Sequence, residues 1–152
     1  MTRRFLVSGR VQGVGYRWFA REGKAPLFAF GHGLSYTTFT HEGLTVARDG
    51  DRLVARFIVH NTGARAGADV PQVYLADAAG RPLRRLAGFA RVELAPGEAR
   101  QVEVPLEWRT IAEWEDDGWI VASGRYRFVL AKDALGDGPA ATVELPRRRL
   151  GN

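Results

Sequence analysis

Cysteine is absent from the chain, which excludes disulfides, thiolate zinc sites and cysteine nucleophiles. Histidine is scarce: His32, His41 and His60 are the only ones, and their spacing fits no local ligand pair. Neither a metal nor a cofactor is expected. Asparagine occurs only as Asn61 and Asn152. No run of eighteen apolar residues exists, so no membrane span is expected. The basic start Met1-Thr2-Arg3-Arg4 leads into Phe5-Leu6-Val7, but that run breaks at Ser8-Gly9-Arg10, unlike a signal peptide. Cytoplasmic is the default expectation for location.

The 152 residues are 45% hydrophobic and 26% charged, values of an ordinary globular domain with a little chain to spare. The net charge of +5 is unevenly placed. Residues 1–25 hold six Lys/Arg and one acid, and residues 147–152 hold three arginines. The body between them has thirteen basic and sixteen acidic residues, so it is slightly acidic. A protein that tracks nucleic acid needs a basic face on its folded body, so no nucleic acid is expected as a partner. The tail Pro146-Arg147-Arg148-Arg149 reads as a solvated, poorly ordered terminus.

Period-2 alternation dominates from residue 43 onward. In 52–60, Leu53, Ala55, Phe57 and Val59 share one face, and Asn61-Thr62-Gly63 turns the chain after them. Val70 to Leu75 is the next β-rich run, and its Pro71 marks an edge or a strand start. Leu86 to Leu94 follows, closed by Ala95-Pro96-Gly97-Glu98. Val102, Val104 and Leu106 then oppose Gln101, Glu103 and Glu107. Trp108 to Trp114 is a candidate helical turn. Asp116-Asp117-Gly118 turns into Trp119-Ile120-Val121, and Tyr126, Phe128 and Leu130 share a face further on. Ala140 to Leu145 closes the set. About seven short strands with turns between them predict an all-β fold, an antiparallel β-sandwich. Tyr126 is either a tyrosine corner tying a loop to its strand or a plain half-buried strand tyrosine.

From Pro26 onward the chain resembles the C-terminal end of family 3 glycoside hydrolases, the β-glucosidase and β-xylosidase family. Residues 26–39, Pro-Leu-Phe-Ala-Phe-Gly-His-Gly-Leu-Ser-Tyr-Thr-Thr-Phe, are similar to the segment entering that family's fibronectin type III-like domain. Residues 59–67 are similar to the first hairpin of that domain, and residues 86–98 to its central hairpin. The resemblance implies a fibronectin type III or immunoglobulin-like sandwich. It also implies that the nucleophile and acid/base residues of the family lie before the matched segment. Retaining hydrolysis needs two carboxyls about 5 Å apart. A non-catalytic accessory or interaction domain is therefore the expectation, not an enzyme.

The first residues resemble another family. Val7-Ser8-Gly9-Arg10-Val11-Gln12-Gly13-Val14-Gly15-Tyr16-Arg17 is similar to the first signature of acylphosphatases. The resemblance implies an anion cradle in which the amides of Gln12, Gly13, Val14, Gly15 and Tyr16 surround a phosphate that Arg17 grips. That family also needs an asparagine on a following strand to orient water, whereas Asn61 belongs to a sandwich turn and Asn152 ends the sequence. A degenerate acylphosphatase-like enzyme is accordingly the alternative function.

Three further groups are candidates. Glu113, Glu115, Asp116 and Asp117 read as a solvated turn in preference to a calcium site. Trp108 and Trp114 form a candidate sugar platform, the basis of a carbohydrate-binding alternative with carbohydrate as partner, while Trp119 is expected in the core. Phe28, Phe30, His32, Leu34 and Tyr36 form a candidate interface for a protein partner or for self-association through residues 1–36. Phe5, Leu6, Val7, Trp18 and Phe19 are available to cover it. The expected organisation is a strand–loop–helix segment over 1–25, a linker over 26–35, a sandwich over 36–146 and a basic tail over 147–152.

Overall fold

The computed structural model describes residues 14–24, 26–115 and 117–151. A short helix, α1 (Val14–Arg21), precedes the strands. Then come β1 (Phe39–Asp49), β2 (Arg52–Asn61), β3 (Gly67–Asp69), β4 (Gln72–Ala78), β5 (Arg81–Phe89), β6 (Val92–Leu94) and β7 (Ala99–Leu106). A single helical turn, α2 (Trp108–Ile111), leads to β8 (Glu113–Glu115), β9 (Gly118–Val121), β10 (Gly124–Ala131), β11 (Ala140–Leu145) and β12 (Arg148–Leu150).

Two antiparallel sheets form the sandwich, one ordered β1-β2-β7 and the other β11-β10-β4-β5. The alternation seen in the sequence sets their inner faces. Leu53, Ala55, Phe57 and Val59 of β2 and Val102, Val104 and Leu106 of β7 are buried. They join one core with Val73 and Leu75 of β4 and Tyr126, Phe128 and Leu130 of β10. Gln101, Glu103 and Glu107 are exposed, as the period requires. Burying these faces supplies the main drive to fold.

Turn chemistry fixes the register. Between β4 and β5, Ala79 and Gly80 both have positive φ (52° and 85°), as a two-residue hairpin turn of matching twist needs. Asp117 (φ 58°) does the same between β8 and β9. The β9–β10 junction carries a tyrosine corner: the buried Tyr126 hydroxyl donates to the Ala122 carbonyl at 3.0 Å. Burial pushes the Tyr126 phenol up from its ordinary value.

Asn61 sits at the centre of a buried polar knot at the end of β2. Its Oδ1 accepts from Thr37 Oγ1 (2.8 Å) and Gly63 N–H (3.1 Å). Its Nδ2 donates to the carbonyls of Arg65 (2.8 Å) and Leu94 (3.1 Å). One side chain thus ties four segments together with every polar atom satisfied.

The two main sheets hold seven strands, as the sequence predicts, and five short ones among the described residues (β3, β6, β8, β9 and β12) lie outside them. The structure differs from the sequence expectation in two places. The run 86–94 is not one strand: β5 ends at Phe89, and β6 pairs with β3. The arginine tail is not a solvated terminus. Residues 148–150 pair with β9. Arg148 grips Asp51 with two hydrogen bonds (2.6 and 2.9 Å) and lies over the Trp108 ring at 4.7 Å, while the Trp108 indole donates to the Asp51 carbonyl at 2.7 Å.

Replacing Asn61 with Ala should lower stability by about 3 kcal/mol in chemical denaturation, because buried carbonyls and an amide lose their partners. The bond from Arg148 holds the Asp51 carboxyl below its ordinary value. A depressed carboxylate stabilises above its unfolded value and loses that contribution as pH falls through the folded one. The protection of the 148–150 amides, taken relative to the intrinsic exchange rate at each pH, should therefore fall as pH drops below about 4, and Asp51→Asn should show the lower protection already at pH 7.

Candidate functional site

The linker before β1 is fastened to the sandwich by a second buried amide. Gln72, at the start of β4, donates to the carbonyls of Gly31 (3.2 Å) and Lys132 (2.7 Å) and accepts from the Tyr74 hydroxyl at 2.5 Å. The Ala134 N–H donates to the Phe30 carbonyl at 2.9 Å. Lys132 Nζ donates to the Phe39 carbonyl at 3.0 Å. Burial pushes the Tyr74 phenol well above its ordinary value.

Helix α1 rests on this base through Tyr16. Its ring stacks on Phe30 (4.9 Å, 19°) and meets Tyr74 edge-on (6.1 Å, 82°). Its hydroxyl accepts the Leu86 N–H at 2.6 Å, so it satisfies an outward amide of β5, the edge strand of its sheet. Trp18 packs edge-on against Phe19 and carries Lys24 over its ring.

The cradle residues are thus placed as follows. Gln12 and Gly13 lie outside the described residues. Val14, Gly15, Tyr16 and Arg17 form the first turn of α1. Tyr16 is spent on the sandwich, and Arg17 is exposed. Phe5, Leu6 and Val7 also lie outside the described residues; the ring that covers Phe30 belongs to Tyr16.

Of the candidate interface residues, Phe30 is tied in, and the others remain open. Leu34 and Tyr36 are each 93% exposed and Phe28 68%, with Phe28 tilted against His32 at 5.4 Å. Leu27, which the sequence reading did not single out, is 91% exposed and extends this run.

A cleft of about 800 Å³ opens between α1, β5, α2 and the β8–β9 hairpin. Tyr16, Arg17 and Phe30 form one wall, and Arg109, Trp114 and Trp119 the other, with Arg85 and Phe89 of β5 between them. Trp114 is 56% exposed and meets Trp119 edge-on at 5.5 Å; Arg109 lies over the Trp119 ring at 5.3 Å. Arg85 donates to the carbonyls of Thr110 and Ala112, each at 3.0 Å. Its Nε is buried with no hydrogen-bond partner among the described residues. Burial, and then the nearby Arg17 charge, pulls the Arg85 guanidinium down. Glu113 pairs with Arg81 at 2.6 Å and with Arg85 at 3.9 Å.

The two tryptophans of the sugar platform open on different hollows. Trp114 lines this cleft, whereas Trp108 lines a smaller one of about 220 Å³ beneath Arg148. Trp119, expected in the core, is half-buried against it, and Trp108 packs against it in the same way. No group of three metal-ligating side chains occurs among the described residues. No described helix is long and apolar enough to cross a membrane.

Comparison with known proteins fits this architecture. Residues 69–134 match the family described as fibronectin type III-like domain, so the sandwich is of fibronectin type III-like class. The chain is 40% identical over 131 residues to a probable β-glucosidase I of Neosartorya fischeri, covering 77% of this chain and 16% of that protein. Among solved structures, β-glucosidase 3B of Thermotoga neapolitana superposes with a TM-score of 0.81 at 32% identity, over 90% of this chain and 20% of that one. DesR, a β-glucosidase from Streptomyces venezuelae, superposes with a TM-score of 0.78 at 37% identity, over 86% and 18%. The chain is therefore similar to one part of β-glucosidases and spans about one sixth of the curated relatives it matches.

Tyr16→Ala should raise the exchange rate of the Leu86 amide about tenfold or more while leaving the β10 amides protected, as read by hydrogen exchange with mass spectrometry. Unchanged exchange at Leu86 would mean that α1 does not cover the edge of β5.

Proposed function

We propose that this chain is a non-catalytic accessory domain of the family 3 glycoside hydrolase type, one that docks onto another folded body through the exposed run Leu27–Tyr36. The observation that carries this reading is the match itself: the part of each β-glucosidase that this chain resembles is a sixth to a fifth of its length. The chemistry of the large cleft agrees. The single carboxylate among its described lining residues, Glu113, is held by Arg81 and Arg85, whereas retaining hydrolysis takes two carboxyls about 5 Å apart.

The docking half of the reading rests on Leu27, Phe28, Leu34 and Tyr36, four large apolar side chains left in the open on one short segment. Runs of this kind mark protein contacts. A second copy and an unrelated protein fit the same surface.

The purified chain should release no measurable nitrophenol from p-nitrophenyl β-glucoside and no phosphate from benzoyl phosphate above a heat-denatured sample. Turnover of the glucoside would sink the non-catalytic reading. Turnover of benzoyl phosphate that disappears in Arg17→Ala would instead establish the acylphosphatase-like alternative.

A further inference from the structure

We infer that the cleft between α1, β5, α2 and the β8–β9 hairpin is a binding site for a carboxylated saccharide, a uronate-bearing chain that lays its ring on Trp114 and Phe89 and its carboxylate among Arg17, Arg85 and Arg109. The cleft, at about 800 Å³, has the size of a small-molecule site.

Its charge points to an anion. Among the described residues, three guanidiniums line it against one carboxylate, and that carboxylate has its Oε2 committed to Arg81 at 2.6 Å. Arg17 and Arg109 are exposed at the rim, and neither makes an ion pair among the described residues. Arg85 lies deeper on β5, with Nη1 spent on the Thr110 and Ala112 carbonyls, and it adds fixed positive charge behind the two rim guanidiniums. A planar guanidinium also matches a carboxylate with two parallel hydrogen bonds.

Its walls point to a ring. Phe89 is 62% and Trp114 56% exposed, large aromatic area that a folded domain ordinarily covers. Trp119, edge-on at 5.5 Å with Arg109 over its own face, braces Trp114 from behind. A bare inorganic anion would use the guanidiniums and ignore these faces, and a neutral sugar would use the faces and leave the guanidiniums idle. The C–H face and carboxylate of a uronate use both. Its hydroxyls meet the Thr110 side chain and Glu113 on the cleft wall, groups for which an aryl carboxylate has no use.

The test is calorimetric titration of the full chain with trigalacturonate, cellotriose, benzoate and inorganic phosphate at low salt. Arg17→Gln, Arg109→Gln and Trp114→Ala change exposed side chains, and thermal unfolding of each variant confirms that it is folded. Trigalacturonate should bind at least about tenfold tighter than each of the other three, and each variant should weaken it by about tenfold, the loss of one good contact. Binding should also weaken with added salt, since the rim cations are screened. Four results would each overturn the assignment. These are no heat with trigalacturonate, cellotriose binding as tightly, benzoate or phosphate binding as tightly, and unaltered affinity in folded variants.

Discussion

The buried Gln72 amide is the joint on which the functional half of the molecule depends. It stands where β4 begins, it is satisfied at both ends, and its partners come from the linker, from the loop after β10 and from its own strand. Gly31 is what lets the linker reach it. The residue has φ +83°, and a Cβ there would come within 2.2 Å of the Gln72 amide. A larger residue would therefore be strained and would also evict the side chain it must bond. Phe30 is positioned by the same contact, Tyr16 is positioned by Phe30, and α1 with Arg17 follows Tyr16. One wall of the cleft is thus suspended from one hydrogen-bonded amide.

Two buried amides divide the work of holding irregular chain onto regular sheets. Asn61 fixes the turns at one end of β2 and β6, and Gln72 fixes the linker at the start of β4. Both occupy places where a backbone departs from the ladder and leaves carbonyls without strand partners, and an amide side chain can accept and donate there at once. The hydrophobic faces say that two sheets pack. These amides say how the loops lie.

The sandwich was readable because its code is local. Leu53, Ala55, Phe57 and Val59 alternate in plain view, and so do Val102, Val104 and Leu106. The Pro-Gly and Asp-Gly turns stand between strands where a reader looks for them. The cleft was not readable, because its walls come together only through folding: α1, the middle of β5, α2 and a two-strand ribbon are far apart in sequence. The first half of β5 was hidden for a second reason. Arg84 and Arg85 stand at half-buried positions where the pattern asks for apolar residues, and their stems bury while their guanidiniums bond carbonyls of Ala134, Gly136, Thr110 and Ala112. Period counting scores such residues as polar and starts the strand only at Leu86. The arginine tail misled in the same way, since composition reads Arg148 as solvent-facing, and only the fold brings Asp51 and Trp108 to meet it.

The phenol of Tyr16 on the Leu86 amide has an effect beyond this one molecule. The free side of a terminal strand is a template on which another chain can grow, and occupying even one of its central donors spoils the ladder there. A crowd of these domains is in this way denied one route to fibres. Any assembly they form on this flank must be built from side chains meeting side chains, which can come apart again, and not from backbones zipped together.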